Sequence, residues 1–361
     1  IAAGEFDKAT QEYIHQYRLD PSAMNSVKLD ILNITGPTTR DAIEKVLLEE
    51  VQKESKDLGI RTILYEFYVL NEEFFEAFVQ VKAIDKVFKE NGDRVYKFAL
   101  TMRSNYNYKL SNKALDYIIE DHQDSPYYFL AYKEKTVNNE LQAFATVPLD
   151  TVAIREAVAS YNELLDKFGR KPSFFDAMYR KAKLTAFYLH DLKGAMDELD
   201  QLVKLPIKSS ERAEANLLTG DILLMQKEFN KAKLKYSEVA DSYKDEQLGA
   251  MAKFKEGQMA YYKGDFQYSQ ERLKSIKDNT SNDISNDAIR LNMLIQDNTG
   301  LDSTTVALAR FANAQLLIYQ REFVPAEVIL DSILYNFPNH PLTDEILWEK
   351  ANMALSRGDL D

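Results

Sequence analysis

The stretch "QKEFNKAKLKYSEVADSY" at positions 226–243 decides the fold. Phe229 stands three residues before Ala232 and Tyr236 four after it, a large–small–large spacing that puts all three side chains on one face of an α-helix. The figure returns in "NEEFFEAFVQVKAIDKVF" (71–88), "LHDLKGAMDELDQLVKLP" (189–206), "YKGDFQYSQERLKSI" (262–276), "QREFVPAEVILDSILYNFPNHP" (320–341) and, near the start, "GEFDKATQEYIHQYRLDP" (4–21). Taking the small residue as a phase marker gives Ala9, Ala42, Ala77, Ser111, Ala157, Ala195, Ala232, Ser269 and Ala326, with steps of 33, 35, 34, 46, 38, 37, 37 and 57. Such a rhythm marks a repeat array, in which each unit is one supersecondary element that cannot bury its apolar face alone.

A small residue at a fixed phase lets the two helices of a hairpin approach closely. Gly220 and Gly257 stand twelve residues before Ala232 and Ser269, with Lys183, Ala99 and Ala314 in that place elsewhere, and Pro21 and Pro338 stand twelve after Ala9 and Ala326. The combination resembles the tetratricopeptide (TPR) repeat, most clearly over 176–283 and 307–340 and least over 22–57 and 127–150. The resemblance implies an all-α fold: a right-handed α-α solenoid of stacked TPR-like helix hairpins, with irregular insertions near 140–150 and 278–301. The expected division is 1–126 as N-terminal hairpins starting mid-repeat, 127–175 as an irregular hairpin with a longer connection, 176–283 as regular repeats, and 284–361 as an extra helix, a repeat and a terminal half-repeat.

The two long steps carry their own signals. In "ELQAFATVPLDTVAI" (140–154), Pro148 breaks the chain before a helix expected from near Asp150. In "NTSNDISNDAIRLNMLIQDNTGLDS" (279–303), Ile289, Met293 and Leu294 suggest one face of an additional helix, after which Asp302 and Ser303 are expected to cap a helix running to about Tyr319. The far stretch "LTDEILWEKANMALSRGDLD" (342–361) reads as a first helix with Trp348 packed inward. A second helix without its first at one end, and a first without its second at the other, lead to the expectation of a piece of a longer array.

Composition narrows the function. With 361 residues, no cysteine and a net charge of −12, disulfide frameworks, thiolate metal sites and cysteine nucleophiles are excluded, and nucleic acid is disfavoured as a ligand. No apolar run approaches the about eighteen residues needed to span a bilayer, so membrane association is expected only through an anchor or partner outside these residues. Between Lys167 and Lys183 a local basic excess (Lys167, Arg170, Lys171, Arg180, Lys181, Lys183) reads as a solvated helix surface or a docking patch for an acidic partner. His15, His122, His190 and His340 are far apart, and glycine-rich phosphate loops are absent. The run "DNTSNDISND" (278–287) lacks the glycine and glutamate of a calcium loop, and acidic neighbours such as Glu49 with Glu50 or Asp197 with Glu198 read as solvated. No catalytic, metal or cofactor residues are assigned, and no enzymatic activity is expected.

What remains is a surface. The TPR resemblance places Arg180, Phe187 and Tyr188, then Leu217, Leu224 and Met225, then Phe254, Gln258, Tyr261 and Tyr262, then Phe311, Gln315 and Tyr319 on a concave face formed by first helices. These residues form either an aromatic partner-binding groove or core buried between adjoining repeats. The Lys and Asn of TPR domains that clamp a peptide carboxylate are missing: Arg180 with Leu184, Leu217 with Asp221 and Phe254 with Gln258 stand there instead. The expected function is a protein–protein interaction scaffold, bound to partners through concave or end surfaces. The stretches "ISNDAIRLNMLIQDNTGLDS" and "YVLNEEFFEAFVQVKAIDK" are similar to the long TPR envelope proteins of Bacteroidota. That similarity implies a periplasmic or outer-membrane-associated role in outer-membrane protein assembly or secretion, and "DTV" at Asp150 and "DSI" at Asp331 resemble that phylum's O-glycosylation signal. The alternatives are a SusD-like glycan-binding component, against which a single tryptophan counts, and a cytosolic TPR co-chaperone or regulatory module.

Overall fold

The computed structural model describes residues 5–276, 282–299 and 305–359, and among these the regular structure is helical throughout, with no strand. The chain divides into two compact units, 1–142 and 143–361. The first holds α1 (Phe6–Leu19), α2 (Met24–Asn33), α3 (Arg40–Lys53), α4 (Leu58–Leu70), α5 (Phe74–Phe88), α6 (Asp93–Ser104), α7 (Tyr108–Asp121) and most of α8 (Tyr128–Phe144). The second holds α9 (Thr151–Phe168), α10 (Phe175–Phe187), α11 (Leu192–Leu202), α12 (Ser209–Met225), α13 (Phe229–Ser242), α14 (Gln247–Lys263), α15 (Phe266–Lys274), α16 (Asn282–Thr299), α17 (Val306–Tyr319), α18 (Phe323–Asn336) and α19 (Thr343–Arg357).

Antiparallel TPR-like hairpins are the building unit: α4/α5 and α6/α7 in the first unit, and α10/α11, α12/α13, α14/α15 and α17/α18 in the second. Each turns at one left-handed residue, namely Glu72, Tyr106, His190, Lys227, Gly264 and Arg321, and each of these lies five positions before the phase marker of its repeat. In five of them the next N–H reaches back over the helix end, as in Glu73 to the Tyr68 carbonyl (2.8 Å) and Glu228 to the Leu223 carbonyl (2.9 Å). This is the Schellman closure that satisfies terminal carbonyls and reverses the chain. Asn107, Asp191 and Asp265 then cap the following helix through their side chains.

The phase markers sit where close approach requires them. Ala77, Ser111, Ala157, Ala195, Ala232, Ser269 and Ala326 are buried. The two serines use their hydroxyls on the facing helix: Ser111 donates to the Ala99 carbonyl and Ser269 to the Gly257 carbonyl, both at 2.7 Å. At Gly220 a Cβ would come within 2.4 Å of the Tyr236 ring, so only glycine admits that ring against the α12 backbone. Ala9 and Ala42 are only half-buried, and their neighbours Thr10 and Ile43 are the residues with no exposed surface. The phase slips by one there because α1 packs against both α2 and α3 rather than against one hairpin partner. The first unit closes on α8, where Asn138 donates to Ser111 Oγ (2.7 Å) and Asn112 Oδ1 (2.9 Å).

The extra helix expected in the longest step is α16, but it presents the opposite face. Ile284, Ala288 and Ile295 are buried, because the neighbours α14, α15 and α17 meet that set; of the three residues expected on one face, Ile289 and Met293 are exposed, whereas Leu294 is half-buried and packs against the core. Trp348 likewise points outward at 69% exposure, since α19 meets α18 through its other face and buries Ile346 and Met353. Asp302 and Ser303, expected as caps, lie outside the described residues, as do positions 278–281 of the acidic run; α17 ends at Tyr319 as expected.

Candidate partner-binding groove

In the second unit α10, α12 and α14 are the first helices of consecutive hairpins, and α17 lies against them. The Tyr261 hydroxyl on α14 donates to Gln315 Oε1 on α17 at 2.8 Å, and Gln315 Nε2 donates onward to Glu349 Oε1 on α19 at 2.7 Å. At the end of α17, Gln320 Nε2 donates to the Met225 carbonyl at 2.6 Å, and Leu316 enters the core built by α12–α15. Ring contacts continue the seam, with Phe187 edge-on to Tyr319 at 5.5 Å and Tyr262 at 6.2 Å from Tyr319.

One carboxylate lies beneath this seam. Asp221 on α12 accepts from the Tyr236 hydroxyl (2.9 Å) and from Lys255 Nζ (2.8 Å). Burial, reinforced by the Asp221 charge, pushes the phenols of Tyr236, Tyr319 and Tyr179 up, that of Tyr179 to about 12. Tyr262 is pushed up by burial and by Glu349. These phenols are therefore held in the neutral form, and those of Tyr236 and Tyr319 are hydrogen-bonded to Asp221.

The sequence-derived groove thus resolves into three groups. Leu217, Leu224, Met225, Tyr261 and Phe311 are buried and belong to the core, where α17 covers the faces of α12 and α14. Phe187, Tyr188, Phe254, Gln258, Tyr262, Gln315 and Tyr319 are half-buried, and Arg180 is exposed. The open part is a cleft of about 270 Å³ whose walls include Phe187, Tyr188, Tyr319, Arg321, Phe323 and Asn352, drawn from α10, α17, the turn after it, α18 and α19. Sequence reasoning named three of these. It missed Arg321 and Phe323 because turn and second-helix positions were not sought on the binding face. It met Asp221, the only charged residue in the run from Leu217 to Met225, only as a residue standing where a carboxylate clamp needs Asn, and gave it no part of its own.

The local basic stretch is partly internal, since Arg170 and Lys181 both face the buried carboxylate of Glu198. Glu50 is likewise buried and pairs with Arg18 and Lys53, so in both acidic pairs the second member is inward rather than solvated. The reason is the same in each case: a cation from a neighbouring turn or helix supplies the partner that a buried charge requires. Among the described residues no group of three His, Asp or Glu side chains is placed to hold a metal ion, and no helix is long and apolar enough to cross a membrane.

No protein-family profile matches the sequence, and no curated protein does. Among solved structures, the chain is similar to a tetratricopeptide repeat protein from Parabacteroides merdae (12% identity, TM-score 0.45, covering 73% of this chain and 100% of that one). It is also similar to a chain of the APC/C hetero-tetramer Cut9-Hcn1 (13%, 0.36, covering 91% and 63%) and to the TPR domain of P58(IPK) (13%, 0.28, covering 100% and 96%). Two of these three structures are of a tetratricopeptide repeat protein or domain.

Proposed function

We propose that this chain is a non-catalytic scaffold that holds a partner polypeptide, and that it acts in a bacterial cell-envelope complex for outer-membrane protein assembly or secretion. The observation that carries the scaffold reading is the cleft at Tyr188, Arg321 and Asn352: an apolar, ring-lined recess open to solvent and assembled from helices far apart in sequence. Aromatic and arginine side chains in such recesses are the usual anchors of protein recognition. The envelope assignment is supported by the sequence resemblance of 68–86 and 284–303. It is further supported by the Asp150 tripeptide, in which Asp150 caps α9 through the Val152 N–H (2.8 Å) and leaves Thr151 exposed.

Photocrosslinking tests the first part. A benzophenone amino acid at position 188 in the native host should yield a discrete protein adduct, whereas the same probe at Leu234, an exposed position on α13, should not. Adducts at neither position, or equally at both, overturn the scaffold reading at this cleft. Fractionation tests the second part: native protein found in the cytosol overturns the envelope assignment.

A further inference from the structure

Most arginines of this chain that approach a neighbouring helix meet a carboxylate, as Arg40 does with Glu73, Arg272 with Glu256 and Arg357 with Glu327. Arg321 differs. Its guanidinium lies 4.9 Å from the Tyr188 ring centroid and 5.6 Å from that of Phe323, half-buried, and among the described residues it has no acidic partner. Stacking on rings uses the faces of a guanidinium and leaves its N–H edges for an acceptor, which a carboxylate fits with two parallel bonds. A half-buried cation without an acidic partner, in a chain of net charge −12, is a site of charge complementarity rather than of general basic character.

The recess indicates what accompanies the charge. Its volume of about 270 Å³ lies below the roughly 300–1,000 Å³ of small-molecule sites and suits one or two large side chains. Phe187, Ile318 and Tyr319 supply its apolar wall, and Asn352 and Ser356, one turn apart on α19, supply a polar edge along which a chain can run. The recess is open to solvent, so a polypeptide can pass through it, whereas capture of a chain end needs a wall that closes behind the last residue. With one cation, it matches a monoanionic carboxylate better than a dianionic phosphate, which recruits clustered basic groups.

We propose that this cleft recognises an internal acidic residue of a partner polypeptide flanked by bulky apolar residues, with the carboxylate on the Arg321 edge and an apolar side chain against Phe187, Ile318 and Tyr319. The proposal rests on the scaffold reading and narrows it to one kind of partner segment.

The test uses the full chain and dye-labelled, end-blocked peptides carrying a central Phe-Glu-Phe or Phe-Gln-Phe, together with a peptide lacking acidic side chains but ending in Phe with a free carboxylate, read by fluorescence anisotropy. The Phe-Glu-Phe peptide should bind saturably and the Phe-Gln-Phe peptide about tenfold more weakly. Arg321→Gln should remove that difference by weakening only the Glu peptide, the signature of a direct pair. Tyr188→Leu, which keeps the bulk and removes the ring, serves as the second variant if circular dichroism shows Arg321→Gln to be misfolded, and should also favour Glu less. Equal binding of the Glu and Gln peptides, indifference to Arg321→Gln, or preference for the free-acid peptide overturns the proposal. If no peptide binds while the probe at position 188 still captures a protein, this proposal falls and the scaffold reading stands; if both fail, both fall.

Discussion

Tyr261 and Gln315, both placed by the repeat pattern on the concave face, are bonded to each other, hydroxyl to Oε1 at 2.8 Å. Tyr261 has no exposed surface, and burial pushes its phenol well up, so the bond is made in a dry interface between α14 and α17. Tyr261→Phe should cost about 1 kcal/mol, and Gln315→Leu about 1–3 kcal/mol because it leaves a buried hydroxyl unpaired. The double variant should cost less than the sum of the two. Urea unfolding monitored by circular dichroism checks this; strict additivity would show that the two residues do not support one contact.

The hairpins were legible because their requirement is local. A small residue opposite a close helix, five positions after a left-handed turn, is a constraint that one stretch of chain imposes on itself, and it recurs from Glu72/Ala77 to Arg321/Ala326. Which face of a helix is buried is not local. On α16 the set Ile284, Ala288, Ile295 and the set Ile289, Met293 are both apolar, and only the position of α14, α15 and α17 chooses between them. Trp348 was misplaced for the same reason.

Two substitutions on α12 and its turn should move stability in opposite directions. Gly220→Ala would gain about 1 kcal/mol from helix propensity alone. Its Cβ, however, falls 2.4 Å from the Tyr236 ring, and overpacking of about 1–3 kcal/mol outweighs the gain. Lys227 sits at φ 60°, where a side chain is disfavoured, so Lys227→Gly should stabilise by up to about 1 kcal/mol. Thermal unfolding of the two variants beside the parent decides: a stabilised Gly220→Ala would mean that α12 and α13 are less tightly packed than described.

The concave face carries a pH signature. The phenols of Tyr236, Tyr261, Tyr262 and Tyr319 all lie above the ordinary 10.0, burial being the first cause in each. A group whose folded pKa is raised contributes stability that is complete below its unfolded pKa and is lost as pH rises beyond it. Stability should therefore be flat with respect to these groups up to about pH 10 and fall above it. In a spectrophotometric titration, part of the tyrosine absorbance should change only together with the loss of helicity. Full phenolate formation in a still-helical protein would contradict the buried seam.

The lining of the cleft was half legible. Phe187, Tyr188 and Tyr319 were found because they follow the first-helix pattern, while Arg321 and Phe323 belong to the turn and second helix of the repeat that carries Tyr319 and come to Phe187 and Tyr188 because α17 crosses to α10. A pattern that treats each repeat as equivalent has no means of anticipating one repeat filling the groove of others. That crossing also explains why, of the two alternatives open for the concave-face set, five residues take the core one.

Trp348 gives a direct optical test of the cleft. It is the only tryptophan of the chain, it is 69% exposed, and it precedes Asn352 and Ser356 by one and two turns on the same stripe of α19. The free protein should show water-like tryptophan emission, readily quenched by acrylamide, because α19 turns this face to solvent. A chain that runs along Asn352 and Ser356 reaches the Trp348 ring within one further turn, so the Phe-Glu-Phe peptide should shift the emission to the blue and protect it from quenching. The Phe-Gln-Phe peptide should do so only at about tenfold higher concentration. Peptide binding without any change at Trp348 would place the bound chain away from the α19 edge and leave only the ring-lined end of the cleft in contact.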